Sequence, residues 1–169
     1  GAKILVYGMA GAGKTTLAKT TPGKTLVISA EAGLLSIKDA TNVDAIEVKE
    51  ASEVMRAFRD LNMHVLFLCK EDVINDDGVL RHAPKMVGTK LGESITYFFD
   101  EVLALRIIED QDDEGKNVQT RWLQTTFGQG YKAKDRSGKL ENFEKPNISA
   151  LIEKLGFKLT NDNKGEANV

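Results

Sequence analysis

The sequence predicts an α/β fold with a mostly parallel β-sheet, helices on both faces and an antiparallel hairpin at one edge. Short, continuously apolar runs are typical of strands buried in a parallel sheet. Segments with helical patterning separate these runs along the chain. A length of 169 residues, of which 41% are hydrophobic, suits one domain with a real core.

The amino-terminal part alternates strands with helices. Its buried strands are indicated by apolar or β-branched runs, and its second helix by a stripe of Val54, Met55, Phe58 and Leu61. Pro22-Gly23 ends the first helix. The predicted strands are 3–7, 25–30, 45–48 and 64–69, and the predicted helices are 15–20 and 52–61, with a turn or short helix at 33–40.

The carboxyl-terminal part begins with a segment of weak periodicity. Residues 73–92 are polar and include Asp76-Asp77-Gly78 and Pro84, which predicts a long loop with at most a small hairpin. A helix at 93–99 follows, and strands at 102–108 and 119–125 flank an acidic turn and predict the antiparallel hairpin. Asn147 is the predicted N-cap of a last helix at 148–155.

Composition excludes several classes of protein. The net charge of −2 gives no bulk attraction to nucleic acid, so such binding would need a local patch. The single cysteine, Cys69, excludes an internal disulfide and a multi-cysteine zinc cluster, and its apolar neighbours predict a core position. No apolar run reaches 18 residues, so we expect no membrane partner and a cytoplasmic location.

One motif is complete. Gly8-Met9-Ala10-Gly11-Ala12-Gly13-Lys14-Thr15 satisfies G-x-x-x-x-G-K-[ST], with an apolar strand before it and a helix after it. Small residues let the backbone N–H groups, through Thr16, point into one concavity that suits phosphate oxygens. The Lys14 ammonium then meets the β- and γ-phosphates, and the Thr15 hydroxyl can ligate Mg²⁺.

A carboxylate follows the next predicted strand. Glu31 stands at its carboxyl end, which faces the ligand crevice in an open parallel sheet. There it can orient and deprotonate a water for attack on a γ-phosphate. From the residues alone, a cap on the Ala32-Gly33 turn or a solvated side chain remains the alternative.

These residues resemble a known family. Thr-Leu-Val-Ile-Ser-Ala-Glu-Ala-Gly-Leu at 25–34 resembles the strand that carries the catalytic glutamate of RecA-like recombinases. The fuller resemblance is to phage-encoded RecA-like P-loop NTPases of the Sak-four type, which are ATP-binding proteins of single-strand annealing and recombination. It covers residues 3–155 and is carried further by 55–67, 99–105, 122–125 and 132–138.

The resemblance implies a RecA-like ATPase core at 1–159, a polar tail at 160–169 and a location in the host cytoplasm. It implies Glu31 as general base, Lys14 and Thr15 as ligands of ATP and Mg²⁺, and rings or filaments of subunits on single-stranded DNA. A single-strand DNA-binding protein is a further implied partner.

Lys134 and Arg136 resemble the basic pair that such motors insert into a neighbouring subunit's nucleotide. A cation supplied in trans stabilises γ-phosphate charge only when subunits are stacked, so hydrolysis would depend on assembly. A solvated basic turn that also includes Lys132 and Lys139 is the alternative.

Residues 74–91 fall where this family places its DNA-facing loops. Arg81, Lys85 and Lys90 are the candidate contacts to DNA phosphates, together with His82. The loop has no aromatic residue, so it gives no support for base stacking. An ordinary mobile surface loop is the alternative.

One expected motif is missing. RecA-like ATPases carry an apolar strand that ends in an aspartate of the magnesium shell, whereas residues 64–69 end in Cys-Lys. Either the sequence joins two segments across a missing stretch near residues 50–55, or the protein binds nucleotide without efficient turnover. We favour the first because the flanking residues match the family well.

The sequence therefore predicts a Mg²⁺-dependent, DNA-stimulated ATPase acting on single-stranded DNA in phage recombination or annealing. Two alternatives stay open: a nucleotide-gated DNA-binding module with little ATPase activity, and a P-loop kinase of a small molecule. The choice between ring and filament stays open as well.

Overall fold

A β-sheet forms the centre of the protein. The computed structural model describes residues 1–23, 25–29, 51–86 and 94–159, with the backbone alone at 51–54. The elements in these residues are β1 (Lys3–Gly8), α1 (Lys14–Ala18), β2 (Thr25–Ser29), α2 (Ala51–Asp60), β3 (His64–Asp76), β4 (Val79–Pro84), a 3₁₀ helix (Ile95–Phe98), β5 (Glu101–Gln111), β6 (Asn117–Gln124), β7 (Lys134–Asp135), β8 (Phe143–Glu144) and α3 (Ile148–Lys154).

The sheet combines a parallel centre with antiparallel additions. Its order is β2-β3-β1-β5-β6-β8, and the first four strands run parallel to one another. β6 returns antiparallel to β5 and confirms the predicted hairpin, and β4 and β7 pair antiparallel to β3 and β5. The architecture is mixed α/β, which is compatible with a P-loop NTPase fold.

Strand alternation distributes the core over the two faces of the sheet. On β1, Ile4 and Val6 pack on one face with α1 and α3, whereas Leu5 and Tyr7 pack on the other. The second face is covered by Met55 and Phe58 of α2 and by the 3₁₀ helix. In the residues described, helices thus cover both faces, as predicted, and Cys69 is fully buried.

Several predicted elements differ from the observed ones. Residues 93–99 were expected to form a helix, and the described part of this segment contains the 3₁₀ helix. Leu61 is 38% exposed just beyond α2, so it does not join the buried stripe. The elements expected at 33–40 and 45–48 and the tail at 160–169 lie outside the described residues. The junction expected near residues 50–55 stays a prediction.

The largest difference concerns the predicted long loop, in which the small hairpin that the sequence allowed is longer than expected and continues β3. β3 continues past the parallel sheet to Asp76 and pairs with β4 in an antiparallel hairpin. The turn at Asp77-Gly78 has positive φ angles of 50° and 85°, as two-residue hairpin turns require. This hairpin carries polar side chains on both faces, so its sequence lacks the apolar alternation that identifies a half-buried strand.

α3 is fixed at its start by two side chains. The Asn147 side chain accepts a hydrogen bond from the Ala150 N–H at 3.0 Å, which confirms the predicted N-cap. The Thr20 hydroxyl, at the end of the first helical segment, accepts from the Ile148 N–H at 2.8 Å. The second bond docks α3 onto the segment that follows the glycine-rich loop.

Replacing Asn147 with alanine is expected to lower the free energy of unfolding by about 1 kcal/mol, because an N–H of the first turn of α3 loses its partner. Urea denaturation measures the change. Asn147→Ser keeps a capping oxygen and is expected to retain most of the stability. Equal losses in the two variants would contradict a capping role.

Candidate functional site

The glycine-rich loop leaves the carboxyl end of β1, between its two parallel neighbours. Gly8 is buried there, and a Cβ on this residue would lie 2.7 Å from the carbonyl oxygen of Leu105 on β5. Real Cβ atoms do not approach backbone that closely, so only glycine fits. The close packing fixes the start of the loop at the centre of the sheet.

The loop folds into a compact turn before α1. The Ala12 N–H donates to the Met9 carbonyl at 3.2 Å, and Gly13 has φ 99°, a left-handed conformation that glycine adopts without strain. Met9, Ala10 and Gly11 are exposed, whereas Ala12 packs into the core. This geometry leaves the outer surface of the loop open to a ligand.

Lys14 lies over the start of the loop. Its side chain is largely buried, and its Nζ donates to the carbonyls of Gly8 and Met9 at 2.8 Å each. A buried ammonium needs such partners because its desolvation is costly. The loop therefore holds one positive charge in a defined position.

Two hydroxyl groups follow Lys14 on the first turn of α1. Thr15 and Thr16 are both exposed, so a ligand can reach these residues. Mg²⁺ bound with a nucleotide needs only one or two protein oxygens beside the phosphates and waters, and the Thr15 hydroxyl fits that requirement. Within the described ranges, no group of three or more His, Cys, Asp or Glu side chains is placed to hold a metal.

Two further cations flank the loop, one on either side of β1. Lys70 on β3 lies opposite Gly8 in the parallel register, and its alternation with buried Leu68 places it on the α1 face. On the other side, Arg121 of β6 donates from Nε to the Ala12 carbonyl at 3.0 Å. The loop is thus bordered by positive charge on both sides.

Sequence reasoning missed Arg121. The available signal was the alternation of β6, because Leu123 points into the core beneath α1 and residue 121 shares that face. The contact joins residues 109 positions apart, so it depends on the order and register of the strands.

The sequence predicts one catalytic carboxylate, Glu31, beside the phosphate loop. Glu31 lies outside the described residues. At the level of the loop, the parallel neighbours of β1 present Lys70 on β3 and Leu105 on β5, so neither described neighbour offers an aspartate there. Glu71 follows Lys70 and is bonded to Nδ1 of His82 on the hairpin at 2.5 Å.

His82 connects the hairpin to the segment after β6. Its ring stacks on Tyr131 with centroids 4.2 Å apart, and the Arg106 guanidinium lies over the Tyr131 ring, 4.4 Å from its centroid. The Tyr7 hydroxyl lies 3.1 Å from the His82 carbonyl and 3.0 Å from the Lys132 carbonyl. Burial, followed by the charge of Glu71, raises the pKa of Tyr7 well above its usual value.

The candidate DNA-binding cations lie on or just after the hairpin. Arg81 is paired with Asp76 at 3.1 Å, and Lys85 lies 3.6 Å from Asp72. Lys90 lies outside the described residues. The structure thus places Arg81 and Lys85 beside acidic side chains of β3.

Lys134 and Arg136 lie at the opposite end of the sheet from the phosphate loop of the same chain. Lys134 pairs with Val102, and the Arg136 N–H donates to the Asp100 carbonyl, beside the start of β1. The Asp100 N–H in turn donates to the Lys3 carbonyl. Lys3 is five residues before Gly8, so these two residues lie roughly 16 Å apart along β1. The Arg136 side chain is 72% exposed, with Asp100 at 3.4 Å.

A pair of carboxyl groups, buried Glu101 and half-buried Asp135, lies beside these two basic residues. Glu101 is 2% exposed, and its Oε2 has no hydrogen-bond partner in the described structure. Burial, then a hydrogen bond to Asp135, raises the pKa of Glu101 to about 8. Burial opposes ionisation of Asp135 too, but hydrogen bonds from Ser137 and Leu140 hold the pKa of Asp135 below its usual value. Burial and then Arg136 lower the pKa of Lys134.

Comparison with known proteins agrees with the geometry of the loop. A family model described as "AAA domain" matches residues 1–52, which include the whole loop and α1. Searches of curated proteins and of solved structures returned no match. None of the helices in the described residues is long and apolar enough to span a membrane.

The match, the complete motif and its strand–loop–helix setting point to one general class: the nucleotide-binding P-loop ATPases. Within that class, the first 52 residues are similar to an AAA-type domain.

Proposed function

We propose that the protein binds Mg²⁺-ATP at the loop 8–15 and hydrolyses it in subunits assembled on single-stranded DNA, as in phage recombination or annealing. The observation that carries the proposal is Lys14, held over the start of a complete phosphate loop at the end of a central parallel strand. Main-chain N–H groups and this ammonium match the charge of a triphosphate.

Glu31 is the proposed general base, and Thr15 the proposed magnesium ligand. When bound, Mg²⁺ would neutralise phosphate charge at the β- and γ-positions. The chain's own contribution is to cradle the phosphates with the N–H groups of residues 8–16, to place the Lys14 charge, and to present Glu31 to a water.

A role for single-stranded DNA is supported by the path of β3. One strand carries Lys70 opposite the loop and continues into the hairpin that bears Arg81 and precedes Lys85. A ligand on the hairpin could therefore affect the phosphate loop through a single continuous element. DNA phosphates would have to compete with Asp76 and Asp72 for these two cations.

A role in trans for Lys134 and Arg136 is supported by their position. They lie at the end of the sheet remote from the phosphate loop of the same chain. Arg136 can therefore meet a γ-phosphate only if the nucleotide is bound by another subunit. Its ion pair with Asp100 is exposed, and such pairs are weak enough to exchange partners.

The direct test is ATP hydrolysis by the natural full-length protein with and without single-stranded DNA. We expect slow hydrolysis that increases severalfold with DNA. Hydrolysis that is fast without DNA and unchanged by it would contradict the coupling.

A second candidate function is a nucleotide-gated DNA-binding module with little turnover. It is favoured by the absence of an aspartate beside the loop on β3 and β5, the described neighbours of β1. Tight ATP binding and ATP-dependent DNA binding without hydrolysis would support this second function.

Replacing Arg136 with alanine is expected to leave ATP affinity within about twofold and to lower DNA-stimulated hydrolysis by about 10³-fold, the usual size for an arginine that stabilises a phosphoryl transition state. Lys145→Ala removes an exposed cation elsewhere and is the matched control.

Mixing two inactive variants tests the direction of the contact. Arg136→Ala retains a sound phosphate loop and Lys14→Ala retains Arg136, so a stacked pair of the two forms one complete site. We expect the mixture to regain hydrolysis. A mixture as inactive as its components would contradict a contact in trans.

A further inference from the structure

Arg121 is the basic side chain that the fold brings against the end of the phosphate loop. Its Nε donates to the Ala12 carbonyl at 3.0 Å, and a Cβ built on Gly13 would lie 3.4 Å from the same nitrogen. The residue as a whole is exposed to solvent. Among the described residues, its two terminal nitrogens have no hydrogen-bond partner.

The two ends of the loop carry different cations. Lys14 folds back over Gly8 and Met9, at the start of the loop. Arg121 lies beside Ala12 and Gly13, at the end that leads into α1. Because the lysine of a phosphate loop meets the β- and γ-phosphates, the opposite end is nearer the α-phosphate and the nucleoside.

Arginine suits this position. Its planar guanidinium can keep one N–H on the Ala12 carbonyl while the remaining donors face an anion in a fixed direction. The Ala12 bond also orients the side chain before a ligand arrives, which lowers the entropy lost on binding. Within the described part of the chain, the exposed Lys70 side chain on the other side of β1 has no such anchor.

We infer that Arg121 is a nucleotide-binding residue in cis that contacts the α-phosphate end of a nucleoside di- or triphosphate. The inference rests on the proposed function, because it takes the loop 8–15 to hold the phosphates. Arg121 then supplies a charge common to ATP and ADP, whereas the γ-phosphate is left to Lys14 and to the neighbouring subunit. The β5–β6 hairpin thereby becomes part of the nucleotide site.

The test is calorimetric titration of the full-length protein with ATP and with ADP, in Mg²⁺ and without DNA. Arg121→Gln is expected to lower the affinities for ATP and for ADP by a similar factor, about tenfold, since a charge-assisted contact is lost from each complex. Arg121→Lys retains the charge and is expected to lose less. The affinity of Arg121→Gln should also depend less steeply on salt concentration.

Lys116→Gln is the matched control, since it removes one exposed positive charge from the turn of the same hairpin. Its affinities should equal those of the unaltered protein. Melting temperatures of all variants show whether the fold is retained; Arg121→Lys serves as the test variant if Arg121→Gln unfolds.

Three results would overturn the inference. Nucleotide affinities of Arg121→Gln equal to those of Lys116→Gln would remove Arg121 from the site while leaving the proposed function intact. A loss confined to ATP would contradict the α-phosphate assignment. Absence of nucleotide binding by the unaltered protein would overturn the proposed function and this inference together.

Discussion

Lys14→Ala is expected to weaken ATP binding by at least about 100-fold, equivalent to ~2.7 kcal/mol. The lysine is the charge that the loop holds in place through the Gly8 and Met9 carbonyls. Its removal leaves the backbone concavity without the ammonium that balances phosphate charge. Titration calorimetry with ATP measures the loss.

Lys19→Ala is the control for this experiment. Lys19 follows α1 directly and is exposed, so its removal changes the net charge equally without touching the loop. Because Lys14 also bonds two carbonyls, Lys14→Met is a second variant that keeps most of the buried volume. ATP affinity unchanged in both Lys14 variants would refute the phosphate-loop assignment.

Glu101→Gln is expected to make the protein more stable at pH 8 while leaving it nearly unchanged at pH 4.5. In the folded protein the pKa of Glu101 is about 8, against 4.5 for an ordinary glutamate. Between these values the unfolded chain releases a proton that the folded chain retains, so stability falls as pH rises through this window. Below it both states are protonated, and above it both are ionised.

The size of this effect is at most a few kcal/mol, since each unit of pKa difference corresponds to 1.36 kcal/mol. Glutamine removes the titration while keeping the shape of the side chain and one N–H donor for Asp135. Urea denaturation at pH 5, 6.5 and 8 gives the stability difference between the variant and the unaltered protein. That difference should grow with pH.

Glu114→Gln provides the comparison for the pH series. Glu114 is exposed in the turn between β5 and β6, so its neutralisation should have a small effect that varies little with pH. A stability difference for Glu101→Gln that is flat from pH 5 to pH 8 would show that the buried carboxyl does not hold its proton.

Local patterns in the sequence predicted the elements whose formation depends on near neighbours. The apolar run of β1, the glycines and Lys14 of the loop, and the Asn147 cap all act within a few residues of themselves. The β5–β6 hairpin follows from two strands around a short turn. These local interactions do not depend on how the rest of the chain is arranged, so a short sequence pattern is enough to predict them.

Other features were decided by the tertiary structure alone. Arg121 meets Ala12 across 109 positions, and Glu101 meets Asp135 because β7 pairs with β5. The extension of β3 into the hairpin was missed because polar residues on both faces hide the period of a strand. Strand order and register decide these contacts. Both depend on the free energy of the whole sheet, so they cannot be predicted from a short stretch of sequence.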